Sequence, residues 1–136
     1  MSAAVERGPA PIRVVVADDE PDVCLLLELQ LRSAGLEVVA TAADGAEAVA
    51  ACRAQRPDVV VMDLLMPGVS GFEAIATLQA EMPEVGIVAY TAVAGEFVRS
   101  EMARLAVPLV LKSGDPTPLI RAIAEVVDAR RQRSGQ

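Results

Sequence analysis

Apolar residues along the chain follow two rhythms. Five short runs are apolar at nearly every position: Ile12–Ala17, Leu36–Ala42, Val59–Met62, Val85–Tyr90 and Leu109–Leu111. Each is the length of a strand rather than a helix, and most are rich in β-branched residues. A strand apolar on both faces belongs inside a parallel sheet covered by helices. Between the runs, apolar residues recur at helical spacing, so the pattern predicts strands alternating with helices. That is an α/β three-layer domain with right-handed crossovers.

The helix boundaries are marked by caps and breakers. A first helix is predicted from Pro21 to about Ala34, with Pro21 in the first turn and Gly35 just past the end. Val23, Leu26, Leu27, Leu31 and Ala34 share its expected core stripe. Leu25 and Leu29 lie off that stripe beside Glu28 and Arg32. Either another helix or a tail covers them, or they form a docking ridge for a partner protein. Asp44 caps a second helix running through Ala46, Val49, Ala50 and Arg53. Ser70 starts a third, Gly71 to Met82, stopped by Pro83. A fourth, Gly95 to Leu105, has a weaker pattern that turns Phe97, Val98, Glu101 and Leu105 inward. The last begins at Asp115-Pro116, with Asp115 as cap and Pro116 as first helical residue, and buries Leu119, Ile120, Ile123, Val126 and Val127.

Length adds that the 136 residues hold one domain. Residues 1–11 read as a disordered tail, 12–128 as the domain, and 129–136 as a C-terminal tail, a solvated helix end or the start of a linker. Too few residues follow the last helix for an effector domain. Apolar residues make up 53% and aromatics 2%, so the core is built from Ala, Val, Leu and Ile. The net charge of −7 argues against direct nucleic-acid binding. No apolar run is long enough to span a membrane, and no signal-peptide layout precedes the first strand. Cys24 and Cys52 have no metal spacing and, on helices covering opposite sheet faces, are too far apart for a disulfide. A cytoplasmic protein with reduced thiols is expected.

The polar residues become informative at the strand ends. Asp18 and Asp19 follow the first strand, Asp63 the third, Thr91 the fourth and Lys112 the fifth. In open parallel sheets ligands bind beyond the carboxyl ends of the strands. Taken singly, each residue has an ordinary explanation: helix N-terminal charge, turn former, strand end or solvated lysine. Five such residues, each at the end of its own strand, point instead to a site. Crowded carboxylates raise one another's pKa unless a cation neutralises them. Mg²⁺ suits carboxylates together with water and phosphate oxygens. Asp63 could then act as a nucleophile forming an aspartyl phosphate, with Lys112 and Thr91 on the phosphoryl oxygens.

The residues Asp18-Asp19-Glu20-Pro21, Met62-Asp63-Leu64-Leu65-Met66-Pro67-Gly68, Ser70-Gly71, Thr91-Ala92 and Leu111-Lys112 together resemble the receiver domains of bacterial response regulators. The resemblance covers Ile12 to about Val127. It implies a flavodoxin-like, doubly wound five-stranded parallel sheet of order 2-1-3-4-5 with five helices. It also implies that Asp63 accepts a phosphoryl group from a sensor histidine kinase. Mg²⁺ would be held by Asp19, Asp63 and the backbone carbonyl of Leu65, with Asp18 acting mainly through water. Thr91 and Lys112 would bind the phosphoryl oxygens. The kinase would dock near Leu25, Leu29 and the Asp63 rim. The output face would be the fourth helix, fifth strand and fifth helix, through which a homodimer would also form. Such a domain is a switch for a partner or an output domain rather than an enzyme, apart from its own phosphorylation and slow dephosphorylation.

The pattern departs from the family at several points. The aromatic residue usual three positions before the lysine is Leu109. The glycine-rich lead into that strand is Leu105-Ala106-Val107-Pro108-Leu109. The Lys-Pro pair is Lys112-Ser113, and Lys-Ser-Gly-Asp-Pro resembles the branch whose receivers precede a helix-turn-helix output domain. Leu65 and Val93 stand at the two positions that influence dephosphorylation, and neither can orient a water, which predicts a long-lived phosphoryl state. Leu109 supports an alternative, a receiver that binds its partner without phosphorylation. A haloacid-dehalogenase-like phosphatase is disfavoured because Asp63-Leu64-Leu65 lacks a second acid. A flavodoxin is disfavoured because acids occupy its phosphate loop.

Overall fold

The computed structural model describes residues 10–92 and 94–134. Five strands, β1 (Arg13–Ala17), β2 (Glu37–Ala42), β3 (Val59–Met62), β4 (Gly86–Thr91) and β5 (Leu109–Leu111), alternate with five helices. The helices are α1 (Pro21–Ser33), α2 (Gly45–Gln55), α3 (Gly71–Glu81), α4 (Glu96–Arg104) and α5 (Thr117–Ser134). The sheet is parallel with order β2-β1-β3-β4-β5, the expected topology. The expected tail of residues 1–11 lies almost wholly outside the described residues. At the other end, α5 continues as helix through residues 129–134.

Alternation along the strands builds two separate cores. Val14, Val16, Val59, Val61, Val88 and Tyr90 face α1 and α5. Val15, Ala17, Val60, Met62, Ile87 and Ala89 face α2, α3 and α4. Every residue of β3 is buried. Burying each such side chain contributes roughly 1.5–3 kcal/mol, which offsets the cost of holding a carboxylate at the strand's end. Cys24 belongs to one core and Cys52 to the other, and both are free thiols.

Local chemistry sets the helix ends. Asp44 Oδ1 accepts from Glu47 N at 2.8 Å, and Glu47 returns the bond to Ala43 N at 2.9 Å. Ser70 and Glu73 form the reciprocal capping box that begins α3. Helix α1 ends in a Schellman motif: Leu36 N donates to Leu31 O and Gly35 N to Arg32 O, with Gly35 at φ +89°. Helix α4 ends in the same motif, with Val107 N on Met102 O and Ala106 N on Ala103 O. There the left-handed position, φ +57°, is held by Ala106.

Three expectations need correction. Leu26 and Ala34 are exposed rather than core; α1 packs through Val23, Cys24, Leu27 and Leu31, so its inward stripe is turned away from Leu26. Phe97 is 72% exposed, and Met102, at 1%, is the residue of α4 that reaches the core. Helix α5 begins at Thr117, one residue beyond Pro116, because Asp115 Oδ1 accepts from Thr117 N at 3.0 Å and forms a short turn before the helix. None of the described helices covers Leu25 or Leu29, which are 57% and 58% exposed.

Candidate functional site

The main-chain ladder continues one residue past the strands and sets the height of each site residue. Asp18 N donates to Ala42 O at 2.9 Å, Asp63 N to Ala17 O at 2.9 Å and Lys112 N to Thr91 O at 2.8 Å. Asp18 and Asp63 therefore stand side by side at the rim between β1 and β3, where the strand order reverses, and Lys112 reaches them from β5 across β4. Oxygen atoms of Asp18, Asp19 and Asp63 all lie within 4.8 Å of one another. Asp18 and Asp63 are buried, and Asp19 is exposed.

Each buried carboxylate has defined partners. Asp18 Oδ1 accepts from Glu20 N at 2.9 Å, and Asp18 Oδ2 accepts from Lys112 Nζ at 2.6 Å. Asp63 Oδ1 accepts from Leu65 N at 3.2 Å, and Asp63 Oδ2 from Lys112 Nζ at 3.3 Å. Burial pushes the Asp63 carboxyl above the usual carboxylate range, helped by the Asp18 charge and opposed by the Leu65 N–H and Lys112. For Lys112, burial pulls downward, but the hydrogen bond to Asp18 and the charges of Asp63 and Asp18 together hold the ammonium above its ordinary value. Thr91 is fully buried at the end of β4.

Three contributors escape a reading of strand ends. Gly71 sits under the Asp63 carbonyl; a Cβ there would overlap that oxygen and crowd Leu64 Cα. Only the Ser70-Gly71 pair signals it. The Lys112 ammonium lies 5.9 Å from the centre of the buried Tyr90 ring, a cation–π distance. Pairing of β4 with β5 sets Tyr90 opposite Val110. Cys24 donates its Sγ–H to the Asp18 carbonyl at 3.3 Å, which ties α1 to the rim. Burial, reinforced by the nearby Asp18 charge, pushes this thiol up.

The surroundings of the rim combine an exposed leucine with a partly polar cavity. Leu65 is 64% exposed beside Asp63. A cavity of about 320 Å³ opens next to Asp18 and Asp19, with Cys24, Leu25 and Glu28 on its wall, and leads from the rim toward the exposed leucines of α1. Leu109 is half-buried against the larger core. Val93 lies outside the described residues.

An acidic rim at the switch point of a doubly wound parallel sheet defines a flavodoxin-like class of α/β domain. A family profile described as the response regulator receiver domain matches residues 14–124, and the chain belongs to that family, the regulatory modules of two-component systems. The response regulator TrrA of Thermotoga maritima, solved in complex with Mg²⁺ and BeF, is 30% identical, with a TM-score of 0.76 over 85% of this chain and 98% of that one. A CheY-like receiver from Methanospirillum hungatei has a TM-score of 0.83 over 91% of this chain and 99% of that one; at 18% identity it speaks to the fold alone. The probable transcriptional regulatory protein TcrX of Mycobacterium tuberculosis is 47% identical over 60 residues, which are 44% of this chain and 25% of TcrX. The match thus spans about a quarter of that curated relative. Among the described residues, no helix is long and apolar enough to cross a membrane.

Proposed function

We propose that this domain accepts a phosphoryl group on Asp63 from the phosphohistidine of a sensor kinase and thereby switches a partner or an output domain. One observation carries the reading: the buried Asp63 carboxylate shares the Lys112 ammonium with Asp18 at the carboxyl edge of the sheet. An Asp63 oxygen forms the new P–O bond as the P–N bond of the phosphohistidine breaks, and the departing imidazole takes a proton from solvent. The nucleophile must be ionised. Burial works against that, while Lys112 and the Leu65 N–H work for it.

The donor set fits Mg²⁺: three carboxylates within 4.8 Å, two of them buried, are what a hard divalent cation takes. Asp18, Asp19, Asp63 and the Leu65 carbonyl would hold it, and it would supply positive charge at the phosphoryl oxygens. Lys112 and the Thr91 hydroxyl serve the remaining oxygens. Leu65, an apolar side chain beside the acceptor, offers no group to position a hydrolytic water, which supports slow autodephosphorylation.

The exposed Leu25 and Leu29 support kinase docking on α1, and exposed Leu111 supports the α4–β5–α5 face as output or homodimer surface. The site of action is the cytoplasm, where a kinase phosphohistidine is available. A second reading, a receiver that binds its partner without phosphorylation, is favoured by Leu109, a packed aliphatic residue in place of a movable ring.

Acetyl phosphate and Mg²⁺ with the purified chain separate the two. A mass gain of one phosphoryl group (~80 Da), absent in Asp63→Asn and without Mg²⁺, is the expected result for aspartyl-phosphate chemistry. No gain in the wild-type protein supports the second reading and ends the first.

A further inference from the structure

A second site lies at the opposite pole of the sheet, below the start of β4 and β5. A cavity of about 450 Å³, within the size range of small-molecule pockets, opens there between the α4–β5 turn and α5. Ile87, Val107, Pro108 and Val126 give it apolar walls, and Arg130 and Arg133 bring two positive charges. Gly86 leaves room for this arrangement: a Cβ there would strike Val126 Cγ1 and press on Arg130 Cδ.

The arginines are underused. Arg130 donates from Nη2 to the Val85 carbonyl at 3.2 Å, but its Nε is buried with no acceptor. Neighbouring Arg131 pairs with Asp58 at 3.8 Å, whereas among the described residues neither Arg130 nor Arg133 has a carboxylate partner. Glu125 shares the cavity wall without reaching either guanidinium. Burial, with Arg133 close by, pulls Arg130 below the ordinary guanidinium range. A buried donor without an acceptor is a rare and costly state. Arg130 stands out because its unbonded Nε is buried beside a partly apolar cavity.

We propose that this cavity binds a small organic acid, with its carboxylate on Arg130 and Arg133 and its apolar body against Ile87, Val107, Pro108 and Val126. The planar fork of a guanidinium matches a carboxylate, and both arginines line the cavity. The apolar part of the wall favours an acid with a hydrocarbon part over a bare inorganic anion. The site is independent of the acidic rim and of the reading given for it.

The test is an NMR titration of the ¹⁵N-labelled full chain with phenylpropionate, its neutral amide and inorganic phosphate. Saturable shifts confined to the amides of Gly86, Ile87, Ala106 and Val107 are expected with phenylpropionate. The amide and phosphate should each bind at least about tenfold more weakly. Arg130→Gln should weaken phenylpropionate by at least about tenfold. Arg133→Gln, a change on the exposed side of α5, should weaken it as well and carries little folding risk. No saturable shift up to on the order of 10 mM overturns the proposal. Equal binding of the amide or of phosphate, or affinity unchanged in both variants, does the same.

Discussion

Lys112 Nζ stands 2.6 Å from Asp18 Oδ2 but 3.3 Å from Asp63 Oδ2, so the lysine is bonded more closely to the acid that is not the proposed acceptor. It offsets one of the rim's negative charges while leaving Asp63 the looser partner. Lys112→Ala would leave two buried carboxylates facing each other. We expect a loss of about 1–3 kcal/mol near neutral pH, below the figure for a fully buried pair because the lysine retains some exposure. Adding Asp18→Asn should recover most of it. Urea unfolding of the two single variants and the double variant measures the coupling; additive losses would mean that the pair does not act as a unit.

Asp63 predicts an unusual pH dependence. Its folded pKa is raised, chiefly by burial, so the folded state binds this proton more tightly than the unfolded chain. Such a group contributes stability fully below the unfolded value near 3.8 and loses it as pH rises through the folded pKa. Ionised Asp63 is therefore a net cost at neutral pH. In the presence of a chelator, Asp63→Asn should raise Tm near neutrality, and the gain should vanish in acid below that window. A Tm change with no pH dependence would contradict the burial argument.

Ala106 occupies a left-handed backbone position that Gly35 fills in the matching motif of α1. Ala106→Gly should stabilise the domain by about 1 kcal/mol, since a Cβ at positive φ costs 1–2 kcal/mol and glycine entropy returns part of it. Denaturant midpoints with an unchanged m-value would verify this; a destabilised variant would show that the Ala106 methyl group packs better than its exposure suggests.

Leu25 and Leu29 separate docking from chemistry. Leu25→Glu, on an exposed face, should leave stability within about 0.5 kcal/mol and acetyl phosphate labelling unchanged. Transfer from a phosphohistidine protein donor should fall several-fold. Equal loss with both donors would place the defect in the rim instead.

The rim was readable because each of its residues ends a run of apolar residues, and a carboxylate or lysine there stands out against the strand. Packing was less readable where apolar residues were abundant. Helix α1 carries five leucines, and hydropathy alone could not choose between Leu26 and Leu27; the way the helix lies on β1 and β2 decides it. Phe97 looked like core because it is large and apolar, yet it pairs with Phe72 at 6.4 Å near the surface, leaving the core to Met102. The Tyr90–Lys112 contact joins residues far apart in sequence through strand pairing, and no local spacing reveals it.

The loop after β3 is seated at two glycines. Gly71 lies against the Asp63 carbonyl, and Gly45 donates to Val69 O at 2.8 Å with no room for a side chain. The segment that carries Asp63 is therefore closely fitted at both of its ends, and a side chain added at either glycine would have to displace it. Across the rim the fit is looser: the last strand is only three residues long, and Leu111, next to Lys112, already meets solvent. Room for a change of shape around Asp63 lies on the side that carries Lys112.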